Sequence, residues 1–169
     1  PMSQVIITGA GLCGTLLALN LAKRGHQVIL LEKRGDLRRE EVAAGRSINL
    51  ALSDRGLAAL DMVGLREQAL AISIPMRGRM IHPLNGETTM LLPYSGRAHE
   101  YIQSISRPGL NSLLLEEASK VDAITILFHH HVQHADVAQA RVTGMEVSTG
   151  KPFEYKADVL IGTDGAGSD

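Results

Sequence analysis

The sequence predicts an α/β fold built on a mainly parallel sheet, and three observations carry that prediction. Residues 5–7 (Val5-Ile6-Ile7) and 27–31 are short, almost unbroken apolar runs, the pattern of strands covered on both faces. Between them, Gly9-Ala10-Gly11-Leu12-Cys13-Gly14 opens an amphipathic stretch that closes on Lys23, Arg24 and Gly25. A third run, 158–162, reads as a final buried strand and delivers Thr163-Asp164-Gly165-Ala166 at its carboxyl end, the edge of an open α/β sheet where ligands gather.

In the first of these segments each glycine has a mechanical task. Gly9 permits the tight turn, Gly11 lets backbone approach a pyrophosphate, and Gly14 lets the helix lie close to the sheet. Free N–H groups at the helix start, from Leu12 and Cys13 onward, then face phosphates with the help of the helix dipole. Glu32 follows at the end of the second strand, where a carboxylate accepts hydrogen bonds from an adenosine ribose. Strand, turn, helix, strand and acid in this order specify a Rossmann-like dinucleotide site for FAD or NAD, with an unphosphorylated ribose.

The other elements follow along the chain. The helix over 12–24 carries Leu12, Leu16, Leu19 and Leu21 largely on its buried side with Gly14 and Ala18 as small contact points, basic residues in its last turn and Gly25 as its left-handed cap. Residues 35–45 read as a loop. Residues 46–53 alternate, placing Ile48, Leu50 and Leu52 on one face and Ser47, Asn49 and Ala51 on the other, a small polar face suited to a flat ring system. Ser53 is placed to cap a helix over 54–63 that stops at Gly64, and 65–70 forms a further short turn. Residues 74–84 read as one extended segment, Asn85-Gly86 as a hairpin turn, and 87–92 as the returning strand. A strand over 101–106 returns to the first domain. Arg107-Pro108 opens a helix to 120 with Leu110, Leu113, Leu114 and Ala118 buried. After a strand over 124–128, residues 132–157 read as an antiparallel meander with turns at Gln139-Ala140 and Thr149-Gly150. A meander crossover is commoner in FAD domains than in dehydrogenases. Residues 1–72 and 98–169 are thus expected to form the cofactor domain, and 73–97 a hairpin belonging to a substrate-binding layer.

Composition bounds the partners. At 169 residues there is room for one ordinary core but not for two complete domains. A formal net charge of −1, 3% aromatic residues and no tryptophan give no footprint for nucleic acid. The single cysteine, Cys13, excludes an internal disulfide and suits a reducing compartment. No run reaches the ~18 apolar residues of a membrane span, and no basic leader precedes the first strand. The expectation is a cytoplasmic domain.

Three segments carry a resemblance. The glycine fingerprint at 9–14 and Gly162-Thr163-Asp164-Gly165-Ala166 resemble the two corresponding motifs of single-component FAD-dependent aromatic hydroxylases. The block Gly45-Arg46-Ser47-Ile48-Asn49-Leu50-Ala51-Leu52-Ser53-Asp54-Arg55-Gly56 is more specific and is similar to the members that hydroxylate L-kynurenine. Residues 74–82, Ser106-Arg107 and Leu110-Asn111 extend the likeness. It covers essentially the whole chain but only the N-terminal part of such an enzyme, so the chain is expected to be a portion that is inactive alone.

The resemblance implies that NADPH reduces FAD, that the reduced flavin takes up O₂ as a C4a-hydroperoxide, and that oxygen passes to the kynurenine ring. The flavin supplies the difficult chemistry, and the protein supplies orientation and water exclusion. No catalytic side chain is therefore expected here. By the same resemblance Cys13, Leu31, Glu32, Lys33, Arg34, Ala51, Arg107, Val132 and Asp164 join the turn residues Gly9, Gly11, Leu12 and Gly14 at the cofactor. Arg79 and Tyr94 match positions that hold the substrate, a guanidinium gripping its carboxylate and a phenol adding one hydrogen bond.

Plainer readings stand beside these. Cys13 reads as a small packed residue rather than a stabilised thiolate. His129-His130-His131 and His134 read as a packed or surface strand rather than a metal site, because strand neighbours point to opposite faces. Arg77 reads as a solvated charge. A related hydroxylase with another aromatic substrate, or a nucleotide-binding module without chemistry, are the alternative functions.

Overall fold

The computed structural model describes residues 1–40, 48–76, 78–81, 84, 90–93 and 102–166, with 78–81 and 90–93 described by their backbone alone. These fall into two compact units, Pro1–Gly45 with Leu110–Asp169, and Arg46–Gly109. The first opens with β1 (Gln4–Thr8), α1 (Leu12–Lys23) and β2 (Gln27–Leu31). The second holds β3 (Asn49–Leu52), α2 (Asp54–Met62), α3 (Arg66–Ala71), β4 (Ile74–Met76), β5 (Gly78–Ile81), β6 (Met90–Pro93) and β7 (Ile102–Ser106). Then α4 (Arg107–Ser119) carries the chain into β8 (Ile124–Leu127), β9 (His130–Asp136), β10 (Arg141–Glu146), β11 (Pro152–Lys156) and β12 (Val159–Gly162).

In the first unit the predicted runs form a parallel sheet of order β12-β1-β2-β8, and β12, expected to be buried, is half-buried or exposed because it stands at the end of that order. Ile6, Ile7 and Leu30 are wholly buried, which is why these strands read as continuous rather than alternating. The meander β9-β10-β11 forms its own antiparallel sheet, and Val142 joins Ile6 and Leu31 in one core cluster. Its turns fall where expected: Ala140 and Gly150 both take left-handed backbone, at φ 50° and 70°. His130 packs its ring against Phe153 and Tyr155, and its Nδ1 lies 2.6 Å from the Phe128 carbonyl oxygen. That is the packed strand histidine of the plainer reading.

Three further details of this unit differ from expectation. On α1, Gly14, Ala18 and Leu19 are buried as expected, but Thr15 joins them while Leu12, Leu16 and Leu21 are half-buried. Small residues let the helix axis approach the sheet, and the longer leucines splay to the flanks. On α4 the buried stripe is Leu110, Asn111, Leu114, Leu115 and Ala118, so Leu115 takes the place foreseen for Leu113. Cys13 is exposed, not packed, because it lies on the outer side of the first turn of α1.

A clasp ties the segment after β2 to α4. Arg38 Nε and Nη2 donate to the Asp36 carboxylate at 2.9 and 2.7 Å, while Nη1 donates to Glu116 Oε2 at 2.9 Å and to Ser119 Oγ at 3.1 Å. The Arg38 side-chain hydrogen bonds hold the Asp36 carboxyl below the usual carboxylate range against the opposing effect of its burial; the Arg38 backbone N–H and the charges of Arg38 and Arg39 assist.

The second unit contains an antiparallel sheet of order β3-β7-β4 and the pair β5-β6. Alternation is visible where one face is covered: Gln103 and Ile105 are buried on β7, and Leu52 on β3, while Ile48 just before β3 is exposed. Residues 74–84, read as an extended segment, contain two strands that belong to different sheets. β4 pairs with β7, β5 pairs with β6, and the chain changes sheet between them. The strand foreseen over 101–106 is β7, which pairs with β3 and β4. Ser53 occupies the N-cap position of α2 but makes no side-chain cap bond. The Asn85-Gly86 turn lies outside the described residues.

Candidate cofactor-binding site

The candidate site sits at the carboxyl ends of β1, β2 and β12. Gly9 leaves β1 with φ +92° and its N–H donates to the Leu31 carbonyl at 2.8 Å. The next N–H, of Ala10, donates to Glu32 Oε2 at 2.8 Å. Glu32 is buried, and its Oε1 accepts from both the N–H and Nε of Arg34, at 3.0 and 3.2 Å. A carboxylate offers about four acceptor positions, so a capacity for ligand hydroxyls remains after these three bonds. The Arg34 guanidinium is thus anchored beside this buried acid.

From β12, Thr163 closes the other side. Its N–H donates to the Thr8 carbonyl at 2.8 Å, and its hydroxyl faces the carbonyls of Thr8 and Gly9 at 2.8 and 2.9 Å. Thr8 in turn donates to Asp164 Oδ1 at 2.7 Å. Neither threonine was singled out from sequence; a hydroxyl at the last position of β1 was the available signal.

The three glycines of the turn are required for different reasons. A Cβ at Gly9 would lie 2.9 Å from the Asp164 Cα in addition to straining a left-handed backbone. A Cβ at Gly14 would overlap the Gly9 carbonyl oxygen and the Thr163 hydroxyl. A Cβ at Gly11 would meet no atom of the described residues within 4 Å. Among the described residues no packing demands glycine there, and the space leaves room for a ligand to lie against the backbone. α1 starts at Leu12 with no side-chain cap and no acid in its first turn, so nothing in that turn competes with an anion for its N–H groups. These features fit a pyrophosphate.

The other expected residues are distributed as follows. Gly9, Gly11, Leu12, Cys13, Gly14, Glu32, Arg34 and Asp164 gather around the turn, with exposed Lys33 beside Glu32. Leu31 reaches the turn only through its carbonyl; its side chain is in the core, and Val132 packs against the same cluster. Ala51 and Arg107 belong to the second unit. Ala51 is exposed on β3 opposite Ser104, and the Arg107 N–H donates to the Ile48 carbonyl at 3.1 Å. Arg79 lies on β5 opposite Leu92, described by backbone only, and Tyr94 is outside the described residues.

A parallel sheet whose first βα turn carries this glycine geometry, with a buried acid closing β2, defines a dinucleotide-binding domain. The chain matches the family described as FAD binding domain over residues 2–169 and belongs to it. It is 46% identical to kynurenine 3-monooxygenase of Myxococcus xanthus (strain DK1622), over 97% of this chain and 35% of that protein. Against the kynurenine 3-monooxygenase of Anopheles gambiae the identity is 43%, over 96% and 33%. The chain therefore spans about a third of the length of the relatives it matches. In fold it is similar to a crystal structure of the flavin-dependent monooxygenase PieE in complex with FAD and substrate, with a TM-score of 0.78 at 19% identity, covering 99% of this chain and 31% of that one. Among the described residues no helix is long and apolar enough to cross a membrane.

Proposed function

We propose that this chain is the FAD-binding portion of an NADPH-dependent monooxygenase that converts L-kynurenine to 3-hydroxykynurenine. The observation that carries the cofactor assignment is the open space above Gly11, bounded by two glycines whose places are already filled by protein. In this reading the adenosine ribose donates to Glu32, the pyrophosphate lies over Gly11 and the uncapped start of α1, and Asp164 accepts from a hydroxyl nearer the flavin. Bound FAD would supply the redox and oxygen-transfer chemistry.

The protein's own part is to bind, orient and exclude water. Ala51 offers a flat surface without a protruding side chain, and Arg107 a cation beside the ring system. Arg79 and Tyr94 hold the amino-acid end of kynurenine, the hairpin at 73–97 serving as part of the substrate layer. O₂ and NADPH are co-substrates, and the cytoplasm is the compartment that a single cysteine suits.

The test is the full-length protein. It is expected to purify with flavin absorbance and to oxidise NADPH faster when kynurenine is added, releasing 3-hydroxykynurenine. Stimulation only by another aromatic compound would reassign the substrate, and failure to take up FAD would remove the cofactor assignment. Unchanged apparent kynurenine affinity in Arg79→Ala would take Arg79 out of the site.

A further inference from the structure

We propose that Thr8 is a positioning residue that sets the orientation of the Asp164 carboxylate for the cofactor, a role that rests on the FAD reading of the site. Thr8 is the last residue of β1, almost fully buried, and flanked by ladder partners on both sides, Leu31 on β2 and Gly162 on β12. Its carbonyl is held by both the N–H and the hydroxyl of Thr163. With the backbone fixed in this way and a β-branched side chain that is stiff at χ1, its hydroxyl occupies one place.

Asp164 has no such support of its own. It is exposed and stands outside any strand, and Gly165 follows it with φ +80°. The bond from Thr8 Oγ1 to Oδ1, 2.7 Å long, joins residues 156 positions apart and uses the single hydroxyl proton. Oδ2 has no partner among the described residues. The carboxylate is therefore held by one oxygen and presents the other to a ligand hydroxyl, without having to give up rotational freedom when that ligand arrives.

Two substitutions in the full-length protein separate this role from packing. Thr8→Val keeps the shape and removes the hydroxyl, while Thr8→Ser keeps the hydroxyl and removes a methyl group. FAD affinity, read by flavin fluorescence on titrating apoprotein, is expected to fall about tenfold in Thr8→Val and to stay within about twofold in Thr8→Ser. Thermal stability of the apoproteins should order the other way, with Thr8→Ser the weaker fold. In an Asp164→Ala background Thr8→Val should cost no further affinity. Thr8→Val binding like the parent, or both variants weakened alike, would overturn the role while leaving the FAD site standing. A parent protein that takes up no FAD would remove both.

Discussion

The two sheets at the centre of the two units are built from the same kinds of residue and use them differently. In the parallel sheet of the first unit, consecutive residues are buried: Ile6, Ile7, Leu30 and Leu31 lose essentially all contact with solvent. In β3-β7-β4 burial alternates, so Gln103 and Ile105 are inside while Ser104 between them is not. A strand covered on both faces admits a polar side chain only where it finds a partner, as Thr8 does in Asp164 at the end of β1. A strand covered on one face keeps every second position open to a turn, a ligand or water. Ala51 belongs to that second kind of surface, and the glycine turn grows out of the first.

The contrast breaks most visibly under core truncation. Ile6→Ala should cost about 3–4 kcal/mol in denaturant unfolding, and Leu50→Ala, half-buried on β3, about 1 kcal/mol. Equal losses would mean that the antiparallel sheet is as tightly covered as the parallel one. Next in size is the pair of glycines at the turn. Gly14→Ala should destabilise the apoprotein by about 2 kcal/mol, because backbone and Thr163 must move. Gly11→Ala should leave apoprotein stability within about 0.5 kcal/mol yet weaken FAD binding at least about tenfold. If Gly11→Ala retains full affinity, the space above it is not where the cofactor runs.

The smallest effect depends on acid and belongs to the first unit. Because the Asp36 carboxyl is held down in the folded state, its contribution is present above its ordinary value of 3.8 and is lost as pH falls through the lower folded value. Arg38→Ala should therefore cost about 1 kcal/mol at neutral pH, with the two stability curves converging below about pH 4.

The parts legible in the sequence are those whose cause is local. β1, α1 and β2 follow from apolar runs and a glycine spacing, and the meander turns from Ala140 and Gly150 flanked by alternating strands. Glu32 and Asp164 stand out because an acid at the end of an apolar strand has little packing reason to be there. What escaped depends on distance in space. On α1 the contact points Gly14 and Ala18 are legible, but Thr15 is buried and Leu12, Leu16 and Leu21 only half-buried, because burial there depends on how closely the helix approaches the sheet. The break between β4 and β5 reflects a choice of partners, β7 and β6, that no periodicity announces. Thr8 with Asp164, and Arg38 with Glu116, pair across 156 and 78 positions.

That first separation has a consequence for the order of events during folding. The glycine turn looks like a self-contained motif, yet its carbonyls are held by Thr163, contributed by the strand at the opposite end of the sequence. The loop between them must close before the turn acquires its final geometry, and long closures are the slow ones. Every glycine of the fingerprint thus precedes Thr163 by well over a hundred positions, and the turn's mature shape depends on β12 having docked.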